Sequence, residues 1–182
     1  SGFGIEVVSR MNSLGMVVDI SHASYKTAMD AIEFSEAPVS FSHSAAKALW
    51  QAGRTKTDDE LIACAEKGGV IGIIGVANTL SQEPHQDINV ALNHYDYMVN
   101  LVGVDHVAIG SDVLVGDHVG FHKVMMGKDV RRGFPADYLD GLESPADGKN
   151  IIRGLISRGY SDEDVSKIAG KNALAFFRRV MG

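Results

Sequence analysis

Met16-Val17-Val18-Asp19-Ile20-Ser21-His22, followed after a helical segment by Pro38-Val39-Ser40-Phe41-Ser42-His43, is the stretch that decides the fold. Each half is a run of β-branched or aromatic residues of strand length that stops at Ser-His. Between them, Ser24 can cap a helix carrying Ala28, Met29 and Ile32 at helical spacing. Strand, capped helix and strand make a βα unit, and such units build parallel sheets. Ligand-facing residues of those sheets lie just past the carboxyl ends of the strands. His22 and His43 occupy that rim one unit apart, where two neutral imidazoles can converge on one zinc ion. A lone strand-end histidine is more often a hydrogen-bonded structural group, and spacing by itself leaves both readings open.

Working outward, residues 4–14 put Ile5, Val8, Met11 and Leu14 on one helical face, with Gly15 as the stop. After the second strand, Val39–Ser42, a short helix is expected at Ala45–Trp50. Thr57-Asp58-Asp59-Glu60 reads as a capping box with acidic residues at the positive end of a helix that stops at Gly68-Gly69. Val70–Val76 is apolar apart from its glycines, as a strand buried on both faces should be. Residues 88–102 predict a helix stopped by Gly103, and His106–Gly110 a fourth strand that runs directly into Ser111-Asp112. The connection from Val113 to about Pro145 has no clear periodicity, and loops of that length are usually functional. Helices over 146–158, 162–169 and 172–181 close the chain.

The totals are those of one ordinary globular domain. The 182 residues are 45% hydrophobic and 22% charged, enough for a sizeable core. A net charge of -6 argues against nucleic acid or an anionic membrane as the main partner. The lone Cys64 excludes an internal disulfide and a CxxC metal cluster, and its apolar neighbours predict a buried, inert thiol. No apolar run approaches the roughly 20 residues of a bilayer span, and no signal peptide opens the chain. A soluble protein of cytoplasm or periplasm is expected, with the compartment open. Four βα units are half of what an eight-stranded barrel uses, so either the sheet is open or the chain is part of a larger barrel.

Five stretches, in order, resemble the membrane (renal-type) dipeptidases, zinc metallopeptidases built on amidohydrolase-like TIM barrels. They are Met11–His22, Ala37–Ser44, Gly53-Arg54 with Thr57–Leu61, Val102–Asp112 and Arg158-Gly159-Tyr160-Ser161. The resemblance implies an α/β fold, the C-terminal half of a (β/α)8 barrel with extra C-terminal helices, over the single domain 1–182. It implies that His22 and His43 bind the second zinc of a binuclear centre. Arg54 would hold the substrate carboxylate, a task suited to its planar fork, although alone it reads as a solvated loop cation. Asp112 would take a proton from the attacking water and pass it to the leaving amine; alone it could equally cap a turn. The implied reaction is zinc-assisted hydrolysis of dipeptides.

The departures are as specific. The family's His-x-Asp motif, its bridging carboxylate and its upstream substrate-contacting histidine have no counterpart, as though the chain began at the linker into the fifth strand. Arg54-Thr55 stands where Arg-Asn is common, and Ser111-Asp112-Val113-Leu114 where many members have Ser-Asp-Phe-Asp. This last segment suggests a longer-loop branch and offers His118 as a substrate-binding residue at the site rim, with a solvent-facing loop histidine as the plainer reading. His122 is weaker, and His85, His94 and His106 read as surface or structural. Two histidines without the bridging carboxylate make an incomplete zinc site, so the chain alone is expected not to turn over substrate. Unpaired strand edges invite a homodimer that closes the barrel. The alternative is a non-catalytic carboxylate-binding or assembly module using Arg54 and nearby helix N-termini. A sugar-phosphate enzyme cradling phosphate on Gly69–Gly75 is disfavoured, because those glycines lie within a strand.

Overall fold

Parallel pairing begins where β-branched and aromatic residues replace helix formers. β1 (Ser40–Ser44), β2 (Val70–Ile73) and β3 (Val107–Ile109) form a parallel sheet in the order β1-β2-β3. Phe41 lies opposite Ile71, Ile71 opposite Val107 and Ile73 opposite Ile109. The structure, a computed structural model, describes residues 1–126 and 137–182.

Helices α1 (Gly2–Ser13), α2 (Tyr25–Phe34), α3 (Asp58–Glu66) and α5 (Ile88–Val102) fall where the periodicity and caps place them. Ser24 Oγ accepts the Thr27 N–H, and Glu60 reaches back to the Thr57 N–H at 2.9 Å. At the C-terminal end, α7 (Lys149–Ser157) and α8 (Asp162–Ser166) lead through a π-turn into α9 (Asn172–Met181).

The expected first strand is reduced to a single bridge. Ser40 N–H donates to Val18 O at 3.0 Å and Ile20 N–H to Ser40 O at 2.8 Å, so Met16–Ile20 does run parallel beside β1. The ladder stops there because a side chain captures its next donor: the Ser42 N–H bonds to Asp19 Oδ1 at 3.1 Å. The expected helix at Ala45–Trp50 is a turn. Its backbone pairs across the loop instead, Lys56 N–H to Ala45 O at 2.9 Å and Lys47 N–H to Lys56 O at 2.8 Å. The third expected strand ends at Ile73, where Gly75 N–H turns to Ser111 O and the chain enters a short helix, α4 (Ala77–Leu80). The long connection holds a further helix, α6 (His118–Met126).

Strand alternation sorts the side chains onto two faces. Phe41, Ile71, Ile73 and Val107 pack with Ala28 and Ile32 of α2, Leu61 and Cys64 of α3, and Leu92, Tyr95 and Met98 of α5. Each large side chain so buried contributes roughly 1.5–3 kcal/mol. Val70 and Ala108, on the other face, meet Phe176 and Val180 of α9. The Cys64 thiol is fully buried and pushed up to about 12, an inert group as expected.

Two polar ties cross the helix layer. His94 is buried, its Nδ1 accepting the Ala46 N–H at 3.1 Å and its Nε2–H donating to Leu80 O at 3.0 Å. Burial holds it below the ordinary 6.5, so the neutral ring bridges α4 to the loop after β1. Asp96 of α5 accepts from both Arg158 and Tyr160. Among the described residues, no helix is long and apolar enough to cross a membrane, and β3 has no strand on its outer side.

Candidate metal centre

A β-bulge aims His43. The register steps from Phe41 opposite Ile71 to Ser44 opposite Ile73, leaving Ser42 and His43 together across from Gly72. Such an insertion bends a strand and redirects a side chain. Room for it comes from two glycines on adjacent strands. A Cβ built on Gly72 or on Gly110 would lie 2.0 Å from the Ser42 carbonyl oxygen.

His22, on the turn after Ile20, points its Nε2 at the same spot. The two Nε2 atoms are 2.8 Å apart and the ring centroids 4.9 Å. Nitrogens bound to one tetrahedral zinc at about 2.0–2.1 Å would stand about 3.3 Å apart, so the pair need open by only about 0.5 Å. Burial first, then His22 and Arg54, hold His43 below its usual 6.5 against the opposing pull of Asp112 and Asp19. It is therefore neutral at pH 7, as a metal ligand must be.

Arg54 and Asp112 complete the cluster. Arg54 Nη1 is 3.3 Å from His22 Nε2 and 3.9 Å from Asp112 Oδ2, which is itself 3.9 Å from His43 Nε2. Asp112 has φ of +55°, a left-handed conformation uncommon outside glycine and least costly for Asn and Asp. Strain of that kind, on the order of 1 kcal/mol, gathers where function fixes a side chain's direction. The structure thus brings His22, His43, Arg54 and Asp112 within 4 Å of a neighbour in one cluster. His118 opens α6, but its side chain and that of His122 lie outside the described residues. His85 is exposed, and His106 Nδ1 bonds to Gly69 O at 2.9 Å, a structural role.

The donor set fits zinc in part. Two imidazole nitrogens converge as a zinc pair should, yet the described residues hold no group of three or more His, Cys, Asp or Glu suited to a metal. Sequence reading gave no task to Asp19, Ser21 and Ser42, which stand directly behind the rings. Asp19 Oδ1 accepts Ser21 Oγ at 2.6 Å and the Ser21 and Ser42 N–H groups at 3.1 Å, while Oδ2 accepts Ser42 Oγ at 2.6 Å. Burial works to raise the Asp19 carboxyl, but these four bonds outweigh it and hold the group below 3.8. The available signal was the acid three residues before His22 in Asp-Ile-Ser-His.

The profile of the membrane dipeptidases, peptidase family M19, matches residues 1–122. The chain belongs to the membrane dipeptidase family. Dipeptidase tcpJ of Claviceps purpurea (strain 20.1) is 32% identical over 178 residues, which are 97% of this chain and 37% of that protein. An amidohydrolase from Pseudomonas aeruginosa superposes with a TM-score of 0.88 at 29% identity, covering 100% of this chain and 57% of that one. A metallo peptidase from Rhodobacter sphaeroides, solved with a phosphinate mimic of the dipeptide L-Ala-D-Ala, shares the fold with a TM-score of 0.79, 23% identity and coverage of 97% and 46%. The chain therefore spans from about a third to somewhat over half of the relatives it matches. Its sheet is the corresponding part of their amidohydrolase-type barrel.

Proposed function

We propose that the chain carries the second-metal and carboxylate-binding half of a zinc metallodipeptidase. The observation that supports this best is the 2.8 Å approach of the His22 and His43 Nε2 atoms beside a guanidinium and a carboxylate. His22 and His43 would hold the ion, which when bound supplies Lewis-acid polarisation of a carbonyl and an acidified water. Arg54 offers two parallel N–H donors to the terminal carboxylate of a dipeptide and so orients the peptide bond over the histidine pair. Asp112, on the same rim, would accept a proton from water and return it to the departing amine. The remaining ligands would come from a further part of the barrel. A second copy closing the open sheet edges is one arrangement for that, and it would appear as a concentration-dependent dimer in sedimentation.

The rival reading is a carboxylate-binding module without catalysis, favoured by the lack of a third metal ligand among the described residues. Zinc dialysis and a dipeptide-hydrolysis assay on the purified chain separate the two. Zinc affinity is expected to fall at least tenfold in both His22→Ala and His43→Ala, with hydrolysis by the isolated chain no faster than by free zinc. Stoichiometric zinc with ordinary enzyme turnover would overturn the claim that the isolated chain is incomplete. Carboxylate binding that is indifferent to zinc and to both substitutions would favour the module.

A further inference from the structure

We propose that Asp19 is a positioning residue that, acting through Ser42, fixes the His43 proton on Nδ1 and keeps the Nε2 lone pair aimed at the point His22 also faces. An ionised carboxylate can only accept. The 2.6 Å contact therefore takes the one Ser42 hydroxyl proton to Asp19 Oδ2. Ser42 Oγ also lies 2.9 Å from His43 Nδ1, and with its own proton committed it must accept there. The ring proton of neutral His43 thus sits on Nδ1. His22 Nε2 then donates across the 2.8 Å gap, and the longer 3.3 Å approach of Arg54 to the same nitrogen is a contact rather than a bond. Metal-ligating imidazoles are commonly oriented by such outer partners. Here one carboxylate also binds both histidine loops, since its donors come from Ser21 and Ser42 alike.

Asp19→Asn reverses the relay at almost constant size. The Oδ1 position faces two backbone N–H groups, so the amide oxygen must sit there and the amide nitrogen must face Ser42. Ser42 Oγ then accepts from the amide and donates to His43 Nδ1, which moves the ring proton to Nε2. The last step, loss of metal affinity, rests on the proposed role of His43 as a ligand. The tautomer itself does not.

The test is 15N NMR of the histidine rings in the metal-free chain at pH 8, followed by zinc titration. Asp19→Asn is expected to exchange the protonated and bare nitrogens of His43 and to weaken zinc roughly ten- to a hundredfold. A His43 ring that keeps its proton on Nδ1 in Asp19→Asn overturns the proposal. Should that variant not fold, Ser42→Ala carries the test, because it leaves Asp19 bonded to Ser21 and to the residue-42 N–H. A mixture of tautomers there upholds the relay, and an unchanged ring overturns it. Exchanged tautomers with unchanged zinc affinity would uphold the relay and refute the assignment of His43 as a ligand.

Discussion

Gly72→Ala is expected to lower the melting temperature by roughly 6–12 °C, from a cost on the order of 3 kcal/mol at about 2–4 °C per kcal/mol. The new methyl would lie 2.0 Å from Ser42 O, 2.9 Å from Ser42 C and 2.9 Å from the Gly110 Cα. All three are backbone atoms of neighbouring strands, so no flexible side chain can swing aside. Relief requires undoing the bulge, which would also turn His43 away from His22. Gly110→Ala meets the same oxygen at 2.0 Å and should behave alike. Gly148→Ala is the control. Its backbone is right-handed, with φ of -51°, and a Cβ there meets nothing within 4 Å, so the melting temperature should stay the same or rise slightly. Thermal unfolding followed by circular dichroism measures all three. Equal melting of Gly72→Ala and Gly148→Ala would refute the packing role given to the Ser42 carbonyl.

Lys56→Ala is expected to cost about 3–5 kcal/mol, because it strands a buried charge. Lys56 and Glu60 are both 3% exposed, with Nζ 3.6 Å from Oε1. The ammonium also donates to Ala23 O at 2.7 Å and lies 5.1 Å from the centre of the Phe41 ring. Burial lowers the Lys56 pKa from its ordinary 10.5, and Glu60 opposes that shift. Without the lysine, Glu60 keeps its capping bonds to Thr57 but loses the buried cation that balances its charge. The double variant Lys56→Met with Glu60→Gln removes both charges and keeps a capping side chain, so it should recover most of the loss. Urea unfolding of Lys56→Met, Glu60→Gln and the double checks this. Simple additivity of the two single effects would show that the pair is not coupled.

Lys56 also joins the rim. Its backbone bonds to the loop after His43, through Ala45 and Lys47, and its side chain to Ala23, beside His22. Arg54 lies two residues away.

Local chemistry was what the sequence exposed best. Ser24 and the Thr57–Glu60 box act within four residues of themselves, and the helices begin where those residues stand. Features built by distant residues were hidden. Nothing near Ala45–Trp50 reveals that its backbone will pair with Lys56, and nothing near Met16–Ile20 reveals that Asp19 will take the ladder donor of Ser42. The four residues singled out from the family likeness, His22, His43, Arg54 and Asp112, meet in one cluster. Their support did not announce itself, because a glycine pair beneath a bulge and a carboxylate behind two serines take their meaning from tertiary contact.

The most direct measurement is a zinc titration of the histidine-labelled chain at pH 7.5, followed by the ring 15N resonances. The Nε2 signals of His22 and His43 are expected to move together, with one common midpoint, while those of His85 and His106 stay in place. Independent movement of the two rings, or shifts no larger than those of His85 and His106, would contradict a shared metal site.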